Sequence, residues 1–200
     1  YLIQRTNSYH SDELEEIASA KAIRMAIKDN KDYHMATPIE IKEPLFNNDL
    51  YPYLQRILLT SDKKRLEEIF LVSEGIENLL IKNAYENDTY EDFIKASISR
   101  RYTRARIQRI CMNIINNITK EEYKALEPLN YIRVLGFNSN GREYLKQFRD
   151  REDFKVVTQF KNIPESYKNI EWKVANIYAS YTSDRKAYLK QELRGPIVID

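Results

Sequence analysis

The stretch Lys95-Ala96-Ser97-Ile98-Ser99-Arg100-Arg101-Tyr102-Thr103-Arg104-Ala105-Arg106-Ile107-Gln108-Arg109, continued by Ile110-Cys111-Met112-Asn113-Ile114-Ile115, decides the fold to expect. Ile107, Ile110, Cys111, Ile114, Ile115 and Ile118 recur at three- and four-residue spacing, which marks one buried face of an amphipathic helix. Carried backward at about 100° per residue, that face reaches Arg104 and Arg100. A core-facing stripe that turns into guanidinium groups either meets buried carboxylates or opens onto an anionic ligand. Residues 95–109 hold Lys95, Arg100, Arg101, Arg104, Arg106 and Arg109 and no Asp or Glu, in a chain otherwise nearly charge-balanced at +2. Thr103 stands where a helix cap belongs, and Arg104 and Arg106 then lie at the positive end of the helix dipole, where phosphate is favoured. Salt bridges to carboxylates elsewhere in the chain are the alternative use of the same arginines.

Two hundred residues suffice for one sizeable core, or one domain plus part of another. With 42% hydrophobic and 31% charged residues the composition is that of a globular protein, and no apolar run approaches the roughly 18 residues that span a bilayer. The mild net charge does not by itself predict a nucleic-acid partner, so any such reading rests on local clustering. The single cysteine, Cys111, excludes an internal disulfide and a multi-cysteine zinc site, falls on the isoleucine stripe as a small hydrophobe, and fits a reducing cytoplasm. Two histidines, His10 and His34, cannot build a multi-histidine metal centre or a His-x-Gly-His nucleotide motif, and four scattered glycines give no phosphate-binding loop. The chain opens at Tyr1 with neither methionine nor secretory signal, which predicts a piece whose beginning lies outside the sequence.

Along the chain, Tyr1 to Gln4 reads as a short strand and Ser19 as the cap of a helix ending by about Asn30. Pro38 and Pro44, followed by Asn47, Asn48 and Asp49, mark residues 36–49 as a linker, dividing a first domain (1–36) from a second (37–200). From Leu50 the pattern is helical: Tyr51 to Leu59, a run from Ser61 through Val72 and on to Ile81, a short helix from Thr89 to about Ile98, then the isoleucine helix and a start at Thr119. After Pro128, Tyr131 to Leu135 reads as a strand, Gly136 to Gly141 as a turn, Phe154 to Phe160 as a second strand, Glu165 to Ser180 as a helix and Ile197 to Ile199 as a last strand. The expected fold is mainly α: a helical bundle with a small appended strand-helix-strand α/β unit.

Three segments carry a resemblance. They are Gln4-Arg5-Thr6 with Ile17-Ala18-Ser19-Ala20-Lys21-Ala22-Ile23-Arg24, the basic run Arg100 to Arg109, and Tyr131-Ile132-Arg133-Val134-Leu135-Gly136-Phe137-Asn138 with Gly141-Arg142. Together they resemble the C-terminal half of the bacterial tRNA(Met) cytidine acetate ligase family, once described as nucleotidyltransferases. The resemblance implies a preceding Rossmann-like domain, of which residues 1–36 would be the tail. It also implies an enzyme that activates acetate with ATP and Mg²⁺ to acetyl-adenylate and acetylates N4 of the wobble cytidine in elongator tRNA(Met). By the same resemblance Arg5, Thr6, Ser19 and Arg24 contact ATP. A capping Ser, helix amides and a nearby Arg suit a triphosphate. Lys21 stands where relatives usually carry Thr, and Ala20 where they often carry Ser, which lowers the hydroxyl count. Residues 37–200 are similar to the tRNA-binding region. Arg100, Arg101, Arg104, Arg106 and Arg109 become phosphate contacts, Tyr102 a stacking face, and Arg133 and Arg142 secondary RNA contacts or structural partners of carboxylates. No catalytic residue and no metal ligand is assigned within the chain, so by this reading it is inactive alone. Two other classes remain open: a nucleotidyltransferase acting on a small-molecule acceptor, and a helical protein-interaction module whose arginines meet an acidic partner.

Overall fold

The computed structural model describes residues 14–37, 40–148, 151 and 153–199. Two compact units divide the chain, Tyr1–Pro44 and Leu45–Asp200. In the first, α1 (Ala20–Lys28) begins at Ser19, whose buried hydroxyl accepts the Ala22 amide at 3.1 Å. Ala22 and Ala26, one turn apart, form its buried face. The left-handed Asn30 (φ 53°) ends it, so this helix runs from the cap to the stop that the sequence predicts. The strand expected at Tyr1 to Gln4, and Arg5, Thr6 and His10, lie outside the described residues.

The second unit opens with six helices: α2 (Asn47–Thr60), α3 (Lys63–Glu67), α4 (Ile76–Glu86), α5 (Tyr90–Ser97), α6 (Arg104–Ile115) and α7 (Lys120–Lys124). Helix α2 packs on α4, α5 and α6, and α5 on α4 and α6. Leu54, Leu58, Leu80, Phe93, Ile94, Ile107 and Ile110 meet between them with almost no exposure. Side-chain caps start three of these helices: Thr89 accepts from the Asp92 amide, Thr103 from Arg106 and Thr119 from Glu122. At the other end of α4, Gln55 donates to the Ala84 carbonyl (2.7 Å) and Tyr51 to that of Asn87 (2.6 Å), satisfying acceptors that a helix terminus leaves open.

Two expectations fail here. Asn47, Asn48 and Asp49 are not linker but the first turn of α2, because the Asp49 carboxylate accepts the Phe46 amide (2.7 Å) and caps the helix. The run from Ser61 to Ile81 is not continuously helical. Leu71, Glu74 and Gly75 adopt left-handed φ values of 69°, 59° and 77°, and Ile69 pairs with Thr119 instead. Its apolar spacing reaches the core through turns.

Beyond residue 130 lie β1 (Tyr131–Arg133), β2 (Gly136–Phe137), α8 (Ser139–Lys146), β3 (Lys155–Val157), a 3-10 turn at Phe160–Asn162, α9 (Glu165–Ala179), α10 (Arg185–Leu193) and β4 (Ile197–Val198). β1 pairs in parallel with β3, Tyr131 opposite Lys155, and α8 is the crossover, the strand-helix-strand unit that the sequence predicts. β2 pairs in parallel with β4, so residues 136–141 are strand and helix start, not a turn. Gly136 lies where an added Cβ would come 3.2 Å from the Ile197 carbonyl, and Asn138 caps α8 by accepting the Gly141 amide at 2.9 Å. The sequence pattern does not announce helix α10, which has no buried residue and thus no apolar periodicity. The fold is mainly helical with small parallel sheets, and no helix among the described residues is long and apolar enough to cross a membrane.

Because Ile110 is fully buried in α6, Ile110→Ala is expected to lower the unfolding free energy of the chain by about 2 to 5 kcal/mol in urea titrations. Burial pushes the Cys111 thiol up to about 12, so it should resist thiol reagents at pH 8 until the chain unfolds.

Candidate nucleic-acid interface

The core dictates which arginines remain available. Helix α6 buries Ile107, Ile110, Cys111, Ile114 and Ile115, so its opposite side carries Arg109 exposed and Arg106 half-buried, three residues apart and therefore neighbours. The helix begins at Arg104, and the extended backbone of Thr103 (ψ 156°) breaks the phase. Arg100 consequently does not continue the apolar stripe; it is exposed in the bend before the helix. Neither Arg100, Arg106 nor Arg109 forms an ion pair with a described residue.

Two other arginines of the run are engaged. Arg104 donates to both oxygens of Glu91 on α5, at 2.9 and 2.6 Å, a bidentate pair that lies largely in solvent. The Arg104 hydrogen bonds hold the Glu91 carboxyl below its ordinary value, against a smaller opposing effect of burial. Arg101 approaches Glu74 more loosely, Nε to Oε2 at 3.8 Å, with both side chains at least half exposed. Exposed pairs of this kind contribute little to stability, so both guanidinium groups can exchange a carboxylate for a phosphate.

Tyr102 is a correction. It is only 6% exposed, sits in the main core, donates its hydroxyl toward the Glu74 carbonyl (3.4 Å), and has the Arg106 guanidinium 5.1 Å from its ring centre. No free ring face is left for a base. Instead the tyrosine anchors the loop that presents Arg100 and Arg101, and Arg106 is held over it by a cation-π contact.

Arg133 is a second correction. Its Nη1 lies 2.7 Å from Glu171 and 2.5 Å from Glu192, its Nη2 donates to the Glu192 carbonyl at 2.8 Å, and its guanidinium lies over the Phe160 ring. Burial disfavours the charge, but Glu192 and Glu171 more than offset it and keep the guanidinium ionised. Tyr131 donates to Glu171 as well (2.5 Å). This network ties β1 to α9 and α10. Arg133 is structural.

Arg142 is exposed near the start of α8, its guanidinium 5.7 Å from the centre of the Phe137 ring, at the edge of a groove of about 820 Å³ between α8 and β3. Lys146, Arg151 and Lys155 line the same groove. Charge clustering along the chain does not single out these three, because Glu143, Asp150, Glu152 and Asp153 are interleaved with them. In the first unit, Ser19 uses its hydroxyl as a helix cap and Arg24 is exposed on α1. The positive end of α1 and an exposed guanidinium are compatible with a polyphosphate. Among the described residues no group of three His, Cys, Asp or Glu side chains is placed to hold a metal ion.

The fold is thus a helical bundle joined to a small parallel α/β unit, and among the described residues Arg100, Arg106 and Arg109 have no carboxylate partner. The family model described as HIGH Nucleotidyl Transferase matches residues 1–192, on both sides of the division at Pro44, and the chain belongs to that family. It does so without a His-Ile-Gly-His tetrad anywhere in its 200 residues. Among its relatives is the tRNA(Met) cytidine acetate ligase of Oceanobacillus iheyensis, 31% identical over 98% of this chain and 54% of that protein. The protein of the same name from Limosilactobacillus reuteri is 29% identical over 96% of this chain and 52% of its own length. The chain thus spans about half the length of the curated relatives it matches. Crystal structures of Thermotoga maritima TmcAL share the fold. The apo form gives a TM-score of 0.76 at 20% identity (96% of this chain, 53% of that one), and the form bound with alpha-thio ATP gives 0.73 at 21% (91% and 52%).

Replacing Arg104 by Ala should return the Glu91 carboxyl toward its ordinary value near 4.5, as read by NMR titration. In the unsubstituted chain the pair's contribution to stability is present above that value and is lost as pH falls through the lower folded one. Arg133→Ala strands two partly buried carboxylates and should cost about 1 to 3 kcal/mol, measured by denaturant unfolding.

Proposed function

We propose that this chain is the tRNA-binding part of an ATP-dependent ligase that acetylates the wobble cytidine of elongator tRNA(Met), with acetate activated as acetyl-adenylate. The observation that carries the reading is that exposed Arg100 and Arg109 and half-buried Arg106 have no carboxylate partner among the described residues, on and just before α6, in a chain whose relatives are named tRNA(Met) cytidine acetate ligase. Arg101 and Arg104 join them when RNA phosphate displaces Glu74 and Glu91. Arg142 adds a contact from the α/β unit. Residues 1–36 are read as the tail of a Rossmann-like nucleotide-binding domain, with Arg5, Thr6, Ser19 and Arg24 near ATP and its Mg²⁺. This rests on the capped start of α1 and on the nucleotide named for the Thermotoga protein. A cytoplasmic location goes with such a substrate. The reading assigns no catalytic residue to these 200 residues.

Binding of the chain to elongator tRNA(Met) across a salt series should give a plot of log affinity against log salt that falls by about 0.7 to 0.9 for each phosphate neutralised. Arg106→Ala with Arg109→Ala should make that slope shallower by about the same amount for each phosphate no longer held, whereas Arg133→Ala should leave it unchanged. Equal slopes for the double variant and the unsubstituted chain would sink the reading. With ATP, Mg²⁺ and acetate supplied, the chain alone should form no N4-acetylcytidine, as read by nucleoside mass spectrometry.

A further inference from the structure

A parallel sheet ordinarily has both faces covered. One face of the β1–β3 pair is covered, because Val157, Phe160 and Ile163 are buried against Tyr131, Tyr167 and Trp172. On the other, Ile132 is 53% exposed. The crossover helix α8 has no buried residue, and between it and β3, whose Lys155, Val156 and Val157 all line it, remains a groove of about 820 Å³. Three rings, Phe137, Phe148 and Phe154, line it beside Leu145, Val156 and Val157, and Phe148 lies 5.9 Å from Phe154 and 4.9 Å from Tyr144, centre to centre. The charged side chains that line it among the described residues, Arg142, Lys146, Arg151 and Lys155, are all basic. Arg142 and Lys155 form no ion pair with a described residue. Lys146 and Arg151 pair with Glu143 and Asp153 in solvent, where such pairs exchange readily for another anion. Arg142 and Arg151 lie over the Phe137 and Phe154 rings at 5.7 and 5.2 Å. An aromatic groove with cations along its edges is what single-stranded nucleic acid needs, since bases stack on the rings while the backbone follows the charges. An acidic peptide would use the cations and leave the rings idle.

We propose that the groove between α8 and β3 is a subsite for a single-stranded RNA segment, with bases against Phe148 and Phe154 and phosphates on Arg142 and Lys155. It deepens the tRNA-binding reading, on which it rests, by assigning the α/β unit an unpaired stretch of the RNA and leaving backbone contacts to the α6 arginines.

The test uses the 200-residue chain and a fluorescein-labelled hexauridylate, read by fluorescence anisotropy, with circular dichroism to confirm folding. R142E combined with K155E changes two exposed side chains and should weaken binding at least about tenfold. Phe148→Leu keeps apolar volume but loses the ring plane, and should weaken it about five- to tenfold. R106E combined with R109E should weaken tRNA binding and leave hexauridylate affinity unchanged. A 5-bromouridine hexamer should photocross-link to peptides within residues 137–157. Unchanged hexamer affinity in R142E/K155E, or competition by polyglutamate as effective as that by unlabelled oligouridylate, overturns the proposal, the latter in favour of an acidic protein partner. If the hexamer fails to bind while tRNA binding depends on Arg106 and Arg109, the groove is refuted and the tRNA-binding reading stands. If the hexamer binds through the groove and tRNA binding ignores Arg106 and Arg109, the reverse holds.

Discussion

Burial of one face of α6 is the constraint from which the rest of the second unit follows. Ile107, Ile110 and Cys111 are wholly excluded from solvent and Ile114 and Ile115 nearly so, against α2 and α5. Each large apolar side chain so buried contributes on the order of 1.5 to 3 kcal/mol. Turning α6 about its axis would expose several of them at once. The helix therefore has one permitted rotation, and that rotation sends Arg109 into solvent and sets Arg106 at the margin of the core, over Tyr102. The cations owe their position to the isoleucines. The same core takes in Tyr102 just before the helix, and this holds the bend carrying Arg100 and Arg101 at the surface.

Geometry then sorts the basic residues into kinds that composition cannot distinguish. Arg133 meets two carboxylates and a carbonyl at about one-fifth exposure, and its charge is consumed in joining β1 to α9 and α10. Arg101 and Arg104 have carboxylate partners but keep water around them, so those partners hold them weakly. Arg100, Arg106 and Arg109 have none among the described residues. An anion arriving at the start of α6 would thus meet some cations without partners and others whose partners are released at small cost, without unfolding anything.

The legible parts of the sequence are those where one local rule acts without competition. Ser19, Thr89, Thr103 and Thr119 cap helices because a hydroxyl beside open amides has little else to do, and the isoleucine period marks α6 to within a residue or two. The segment 68–75 misleads because its apolar residues keep helical spacing while Leu71, Glu74 and Gly75 turn left-handed to bring Ile69 beside Thr119, a partner about fifty residues away. No local pattern contains that contact. Arg133 misleads for the same reason: Glu171 and Glu192 lie far along the chain and reach it only once the strands pair. Clustering in sequence finds the α6 arginines, whereas Arg142, Lys146, Arg151 and Lys155 are hidden by the carboxylates interleaved with them.

The α/β unit differs physically from the bundle, and its role follows from the difference. Its own buried cluster is three residues, Val157, Phe160 and Ile163, too few to hold four short strands and three helices by apolar burial alone. The Arg133 network supplies cross-links instead, and Lys173 of α9 reaches Glu122 (2.5 Å) and the Asn117 carbonyl (2.9 Å) to tie the unit to the bundle. Ile177 of the same helix packs on the main core. A unit held from one side in this way can leave its other side open without collapsing. The groove between α8 and β3 survives because the contacts that fix the unit run through α9 and α10 and leave α8 without a buried residue, so a surface lined by rings and cations stays open.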